Sequence, residues 1–294
     1  IYLTNNQELI YNNNTILSSA NFKKYFSKIE YVQFSPNLEN ILIQGKSLQN
    51  KTIYYSLNLN TLNLANLKFL ETASNFYLAN ESIIYQNNGT INKYVLSSKK
   101  TSIIRDEVDV FTAKDNTIYS VEKKILIKIE GNRETTLSEK QITLDNYKLE
   151  IISGRLFAFD NSNLYLFNEN KKDFEFFLKT KNLNYDLLPD KIIFNTGTEL
   201  WLLLLKDFDT PFFKNSGSLI FLSRFSSEIK NVTWFNDDYF LYTTNNNVYV
   251  SEIDNRDNIN VFKLSDLSAQ KIWFNKNILY LLSENKIYNS SEFD

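Results

Sequence analysis

Eight times along the chain, an apolar run of about three residues, a short polar turn and a second apolar run recur at near-constant spacing. The first runs are Leu9-Ile10-Tyr11, Ile41-Leu42-Ile43, Ile83-Ile84-Tyr85, Ile118-Tyr119-Ser120, Leu156-Phe157-Ala158, Ile192-Ile193-Phe194, Phe240-Leu241-Tyr242 and Leu279-Tyr280-Leu281. Their partners begin near Ile16, Ile53, Ile91, Ile125, Leu164, Leu200, Val248 and Ile287, at intervals of 37, 38, 34, 39, 36, 48 and 39 residues. Runs this short, bounded by Asn, Asp, Ser and Lys, are strand-length segments joined by turns, and long helices are absent from the pattern. A period near 38 with about four strands per unit is the spacing of a β-propeller blade. A parallel β-helix needs shorter coils and far more small residues than six glycines supply.

The expected fold is therefore all-β, a propeller of about eight four-stranded antiparallel blades, with seven as the alternative. One domain is expected over 1–294, with units at about 1–28, 29–66, 67–106, 107–142, 143–182, 183–229, 230–267 and 268–294. The last unit supplies three strands, so one terminus is expected to complete the other's blade. The single long interval holds an insertion, Lys206 to Gly217, which carries Pro, Gly and the adjacent Phe212 and Phe213.

Several units also show an apolar strand that ends in an aromatic and runs into a polar turn. Examples are Tyr31-Val32-Gln33-Phe34-Ser35-Pro36-Asn37, Val232-Thr233-Trp234-Phe235-Asn236-Asp237-Asp238 and Ile272-Trp273-Phe274-Asn275-Lys276-Asn277. This resembles the W-S-P-D-G signature of TolB-type and WD-like propellers, with Asn or Asp in place of Gly because both tolerate left-handed backbone. A narrower stretch, Ser223-Arg224-Phe225-Ser226, Ile229-Lys230-Asn231-Val232, Trp234, Glu252-Ile253-Asp254-Asn255-Arg256-Asp257 and Asn260, is similar to a region of bacterial PEGA-domain proteins. In that family a membrane anchor and PEGA domains precede a propeller-like region outside the cytoplasm. The resemblance implies an extracytoplasmic or cell-surface location, with any anchor and PEGA domain upstream of Ile1, and it carries no catalytic residue across.

Composition removes whole classes of chemistry. The chain has no Cys, His or Met. Disulfides, thiolate nucleophiles, Ser-His-Asp triads and the usual transition-metal centres are excluded. With 32 basic and 34 acidic side chains and a net charge of -2, there is no basic excess to neutralise nucleic-acid phosphates. About 41 Asn, and Lys far above Arg, fit drift in an AT-rich genome, so Asn content and the Asn-x-Ser/Thr sequons carry no functional argument. No apolar stretch reaches the ~18 residues of a membrane span, and no signal-peptide pattern is read from residue 1 onward. Because the chain starts at Ile1 without Met, membrane attachment is expected only through a missing N-terminal segment.

Carboxylate pairs are the one catalytic device left. Asp160, Asp209, Asp237, Asp238, Asp254 and Asp257 are available to a glycosidase, yet each sits where Asp is simply a good turn former. The run Asp254-Asn255-Arg256-Asp257-Asn258 lacks the register and glycine of a calcium loop, and Arg256 opposes a cation. Trp201, Trp234 and Trp273 fall inside strands and are read as packing between blades. No catalytic, metal or cofactor residue is assigned.

The insertion is the best functional candidate, since it alone breaks the repeat. It and the Asp254–Asp257 turn are both third-to-fourth-strand connections of successive units, so both should leave the same face. The expected contact surface has Phe212 and Phe213 as anchors, Arg224 or Arg256 at the rim, and Asp254 and Asp257 beside them. The expected function is a non-catalytic binding or scaffold module for a protein or glycan partner. The alternative is a carbohydrate-active propeller, either a lectin or a carboxylate-only glycosidase.

Overall fold

A computed structural model describes residues 2–3, 9–11, 14–180, 184–208, 214–254, 259–265, 269, 271–275, 278–283 and 286–290. The fold is all-β and of β-propeller type, with antiparallel sheets succeeding one another in chain order. The first sheet is β1 (Tyr2–Leu3), β2 (Leu9–Tyr11) and β3 (Asn14–Leu17), followed by helix α1 (Ser19–Tyr25). The second is β4 (Lys28–Phe34), β5 (Asn40–Lys46), β6 (Thr52–Asn58) and β7 (Leu64–Asn66). The third is β8 (Asn75–Leu78), β9 (Ser82–Asn87), β10 (Thr90–Val95) and β11 (Lys100–Arg105). The fourth is β12 (Val110–Lys114), β13 (Thr117–Glu122), β14 (Ile125–Glu130) and β15 (Arg133–Thr136). The fifth is β16 (Lys148–Ile152), β17 (Arg155–Phe159), β18 (Asn163–Asn168) and β19 (Asp173–Lys179). The sixth is β20 (Asn184–Leu188), β21 (Lys191–Asn195), β22 (Glu199–Leu204) and β23 (Leu219–Arg224). The seventh is β24 (Ile229–Trp234), β25 (Tyr239–Thr244), β26 (Asn247–Glu252) and β27 (Val261–Ser265), and the last is β28 (Lys271–Asn275), β29 (Ile278–Ser283) and β30 (Lys286–Asn289).

Six of these eight sheets have four strands, and the first and last have three among the described residues, the last as the sequence implies. In the first, α1 follows β3 where a fourth strand would stand. Its segment Ser-Ala-Asn-Phe-Lys-Lys-Tyr has no strand-like alternation, and Lys23 and Lys24 suit the negative end of a helix dipole.

The residues form two compact units, Ile1–Ala158 with Leu166–Glu175, and Phe159–Tyr165 with Phe176–Asp294. In the first unit, β12 runs beside β8 and β16, so first strands neighbour first strands. The apolar triplets have a direct cause. Successive side chains of a strand point to opposite faces, and each second strand is covered on both. Ile41 and Ile43 pack with Leu9, Leu17 and Phe26, while Leu42 between them packs with Leu70, Leu78 and Ile83. Ile84 turns the other way from Ile83 and Tyr85, onto Phe111 and Ile118. Each such side chain, fully buried, contributes roughly 1.5–3 kcal/mol. Arg105 closes the outer part of this unit, with Nε and Nη2 on the two Glu122 oxygens at 2.9 and 2.8 Å and Nη1 on Glu134 at 2.9 Å.

In the second unit, β24 runs beside β20 and β28. The two-faced pattern repeats there. Phe240 and Tyr242 join Leu202, Leu222 and Trp234, whereas Leu241 joins Ile272 and Leu279. Asp186 of β20 holds β24, because one carboxylate oxygen accepts from Thr233 Oγ1 at 2.7 Å and Trp234 N at 2.9 Å. Of the tryptophans, only Trp234 is fully in the core. Trp201 and Trp273 are half-buried, Trp273 stacked on Tyr280 with 4° between the rings.

Three second-to-third-strand hairpins have two-residue turns with both residues at positive φ. They are Asn88-Gly89 (50° and 77°), Lys123-Lys124 (48° and 67°) and Asn245-Asn246 (49° and 62°). This is type I′ geometry, whose twist matches that of the strands it joins. The turn after the aromatic-ended first strand, where the sequence puts Asn or Asp in place of Gly, does not follow that expectation: there the left-handed residue is Leu38, and Asn37, Asn236, Asp237 and Asp238 keep negative φ.

Candidate functional site

The insertion connects β22 to β23, a third-to-fourth-strand connection, and its stem is closed by its own backbone. Phe208 and Lys214 exchange N–H···O bonds of 2.8 and 2.9 Å. Asp207 Oδ1 accepts from Ser216 N at 2.7 Å, and Ser216 Oγ donates to Leu205 O at 2.8 Å. The anchors Phe212 and Phe213 lie outside the described residues.

Beneath the stem sits a buried cation. Lys191, the first residue of β21, is 1% exposed. Its ammonium donates to Asp237 O at 2.7 Å and lies 3.3 Å from Asp190 Oδ2. It also lies 5.0 Å from the Phe208 ring centroid and 5.8 Å from that of Trp234. A lysine taken out of water needs such partners, and two ring faces, a carbonyl and a carboxylate supply them. Lys191 thus ties the insertion stem of the sixth sheet to the first turn of the seventh. That turn is in register with the other predicted loop, because Ile253 N donates to Asp238 O at 2.9 Å. The bases of the two third-to-fourth-strand connections therefore lie at the same end of their sheets, joined through Lys191.

Asp254 is half-buried directly after Ile253, while Arg256 and Asp257 lie outside the described residues. Arg224 departs from expectation. It ends β23, and the register pairs it with Glu199, whereas Leu219 at the insertion end pairs with Leu203. Five strand residues separate Arg224 from the insertion, roughly 17 Å at ~3.3 Å per residue. Its guanidinium is held by Glu199, with Nε to Oε1 at 2.7 Å, and Glu199 Oε2 accepts from Trp201 Nε1 at 2.9 Å. Arg224 is not at the rim of the insertion face. The reason is topological, since a fourth strand carries its two ends to opposite edges of the blade.

Lys191 was the residue hidden from motif reasoning. Its signal is a lone lysine opening the apolar run Lys191-Ile192-Ile193-Phe194, where a solvated charge has no place.

The carboxylates that shift do so downward. A hydrogen bond from Lys128 holds Glu130 below the usual range, and Lys172 and Lys171 do the same for Glu139 and Glu175. Burial pushes Asp160 up, but donors from Asn163, Ser162 and Tyr165 outweigh it and leave it lowered. Asp160 is a turn residue, as its context suggests. Among the described residues no group of three or more acidic side chains is placed to hold a metal, and no helix is long and apolar enough to cross a membrane.

No protein-family profile matches the chain, and no curated protein sequence does. Solved structures do match. The computationally designed protein Ika8 aligns over 90% of this chain and 87% of its own, at 9% identity and a TM-score of 0.53. YCF48 from Cyanidioschyzon merolae aligns over 88% of this chain and 94% of its own, at 11% identity and a TM-score of 0.49. The extracellular domain of BT4673 from B. thetaiotaomicron aligns over 90% of this chain and 39% of that one, at 13% identity and a TM-score of 0.45. Likeness at such identity concerns the fold alone.

Proposed function

We propose that the chain is a non-catalytic binding or scaffold propeller of the TolB/WD-like type, the extracytoplasmic part of a larger bacterial surface protein. It meets a protein partner through the third-to-fourth-strand loops of its sixth and seventh sheets. The observation that carries this reading is the Lys191 cluster, in which a buried cation fixes the base of the one loop that breaks the repeat. A loop that only capped a blade edge would not need a buried charge to hold its stem against the next sheet. The TolB/WD-like assignment is supported by Trp234, which closes its inner strand and packs into the blade core as that signature requires. Surface placement rests on the PEGA-protein resemblance of residues 222–264.

The test is site-specific photo-crosslinking in the native host, with the reactive group at position 212 or at position 245 on the opposite edge. A discrete adduct with one protein from 212, lost when 207–216 is replaced by a two-residue turn, supports the reading. Adducts from 245 alone, or an adduct unchanged by the loop replacement, overturn it.

A further inference from the structure

The outermost strand of the seventh sheet is open on both faces and along one edge. Among the described strands, β27 pairs with β26 alone. Successive side chains of a strand point to opposite faces. Yet Val261 and Phe262 are both exposed, at 44% and 61%, and Leu264 is exposed at 41%. The neighbouring sheets cover neither face here.

The other outer strands are better defended against pairing. β15 is Arg133-Glu134-Thr135-Thr136, and β19 carries Asp173, Glu175 and Lys179. β11 begins at Lys100 and ends at Arg105, β7 has three residues, and β23 exposes one large apolar side chain, Phe221, beside Arg224. Charges and short length are how natural sheets keep their edges from joining. β27, Val261-Phe262-Lys263-Leu264-Ser265, sets one charge among three exposed apolar residues.

The register fixes which backbone groups are on offer. Glu252 N donates to Asn260 O, so these two residues form a hydrogen-bonded pair across β26 and β27. Bonded and non-bonded pairs alternate along an antiparallel ladder. Val250 with Phe262 is therefore a bonded pair, and Ser251 with Val261 and Tyr249 with Lys263 are non-bonded ones. The N–H and C=O groups of Val261 and Lys263 consequently point away from β26.

A second copy of β27 fits these groups about a two-fold axis through Phe262. Val261 exchanges both backbone bonds with the partner's Lys263, and Lys263 does so with the partner's Val261. Phe262 meets the partner's Phe262 at a non-bonded position, with Cα atoms about 4.5 Å apart, where aromatic pairs are favourable. An axis at Lys263 instead opposes two ammonium groups, and an axis at Val261 sets Phe262 against Asn260. The strand complements itself in one register, which is what a two-fold contact between identical surfaces requires.

We infer that β27 is a self-association edge, through which two copies of the chain join antiparallel into one continuous sheet with the Phe262 pair at its centre. Few residues take part, so the dimer is weak and depends on concentration. The pairing uses no residue of the insertion and is independent of the proposed loop surface.

Sedimentation equilibrium of the whole chain over a concentration series reads the oligomer, and single cysteines read the register. The chain has no Cys of its own, so a disulfide forms only between introduced thiols. Phe262→Cys should oxidise readily to a covalent dimer. Leu264→Cys should do so at least about tenfold more slowly, because its own equivalent lies four residues along the paired strand, roughly 13 Å away. Val261→Pro removes an outward N–H that β26 does not use, and Phe262→Lys opposes two charges at the axis. Each should weaken the dimer about tenfold or more and leave the melting temperature in place. Replacing 207–216 by a two-residue turn should leave the dimer unchanged. A monomer up to about 1 mM, equal oxidation of the two cysteine variants, a dimer that survives both Val261→Pro and Phe262→Lys, or one lost with the insertion would each overturn the inference.

Discussion

Asn75 and Gln86 face each other across β8 and β9, and both side-chain amides donate to the backbone of the next sheet. Asn75 Nδ2 reaches Phe111 O at 2.6 Å and Gln86 Nε2 reaches Val108 O at 2.6 Å. The second unit repeats the device. Asn184 and Asn195 pair across β20 and β21, and their amides donate to Lys230 O at 2.8 Å and Ile229 O at 2.6 Å. Adjacent blades are thus stitched at the same rung by a pair of amides, one of them buried. Truncating the buried member leaves a carbonyl unsatisfied, which costs ~1–3 kcal/mol. Gln86→Ala and Asn195→Ala should each lower the unfolding free energy measured in urea by that amount, and Asn170→Ala, at an exposed turn amide, by much less. Equal effects at all three sites would show that the stitches are incidental.

Lys191 gives a different kind of prediction. Lys191→Met keeps most of the packing volume but removes the cation that Phe208, Trp234 and Asp237 O surround. The cost to global stability should be modest, about 1–3 kcal/mol, because Asp190 retains some contact with water. Its local effect should be larger. Trypsin cleavage at Lys206 or Lys214 should speed up well before the sheets unfold. A loop as resistant as in the parent protein would show that its stem is held by the backbone bonds of Phe208 and Lys214 alone.

Glycine and turn positions separate steric from conformational strain. A methyl group on Gly45 would lie 2.5 Å from Lys28 O and 2.7 Å from the buried Phe26 ring. Gly45→Ala should therefore cost ~1–3 kcal/mol, and more if the backbone cannot give. At Gly154 a methyl meets nothing within 4 Å, so only its φ of 77° penalises Ala, by about 1 kcal/mol. The reverse change, Lys124→Gly at φ 67°, should raise stability by roughly 0.5 kcal/mol after the added unfolded-state entropy is counted. Thermal melts of the three variants give the ordering, and a destabilised Lys124→Gly would contradict the strain argument.

Alkaline pH should reveal Tyr147. Burial, with Asp109 adding to it, pushes its phenol up to about 12, from an ordinary value of 10.0. The folded state holds the proton more tightly than the unfolded state. Its stabilising contribution is therefore complete below pH 10 and is lost as pH rises towards 12. Tyr242, raised by burial first and by Tyr249 second, acts in the same direction. Between pH 10 and 12, Tyr147→Phe should lose less stability than the parent in urea titrations. Parallel pH curves would refute the assignment.

The repeat was legible because blade packing writes itself into short runs. Ile41-Leu42-Ile43 and Phe240-Leu241-Tyr242 are apolar throughout since neighbours cover both faces of the strand. The insertion and its strand connection were legible for the same reason, as a gap in a regular spacing. Trp201 and Trp273 were not separable from Trp234, because all three lie in strands and only the depth of the sheet decides which ring is closed over. Asn75, Asn184 and Asn195 were hidden by an Asn-rich composition that made each one look incidental.

Local pattern alone therefore determined the all-β class and the recurring sheets, since each depends on residues within a few positions. Tertiary structure alone decided the rest. Whether α1 or a strand follows β3, which end of β23 carries Arg224, and why Lys191 is buried all depend on groups distant in sequence. Phe208, Trp234 and Asp237 lie 17, 43 and 46 residues from Lys191, and a charge can be withdrawn from water only where folding has first brought such partners together.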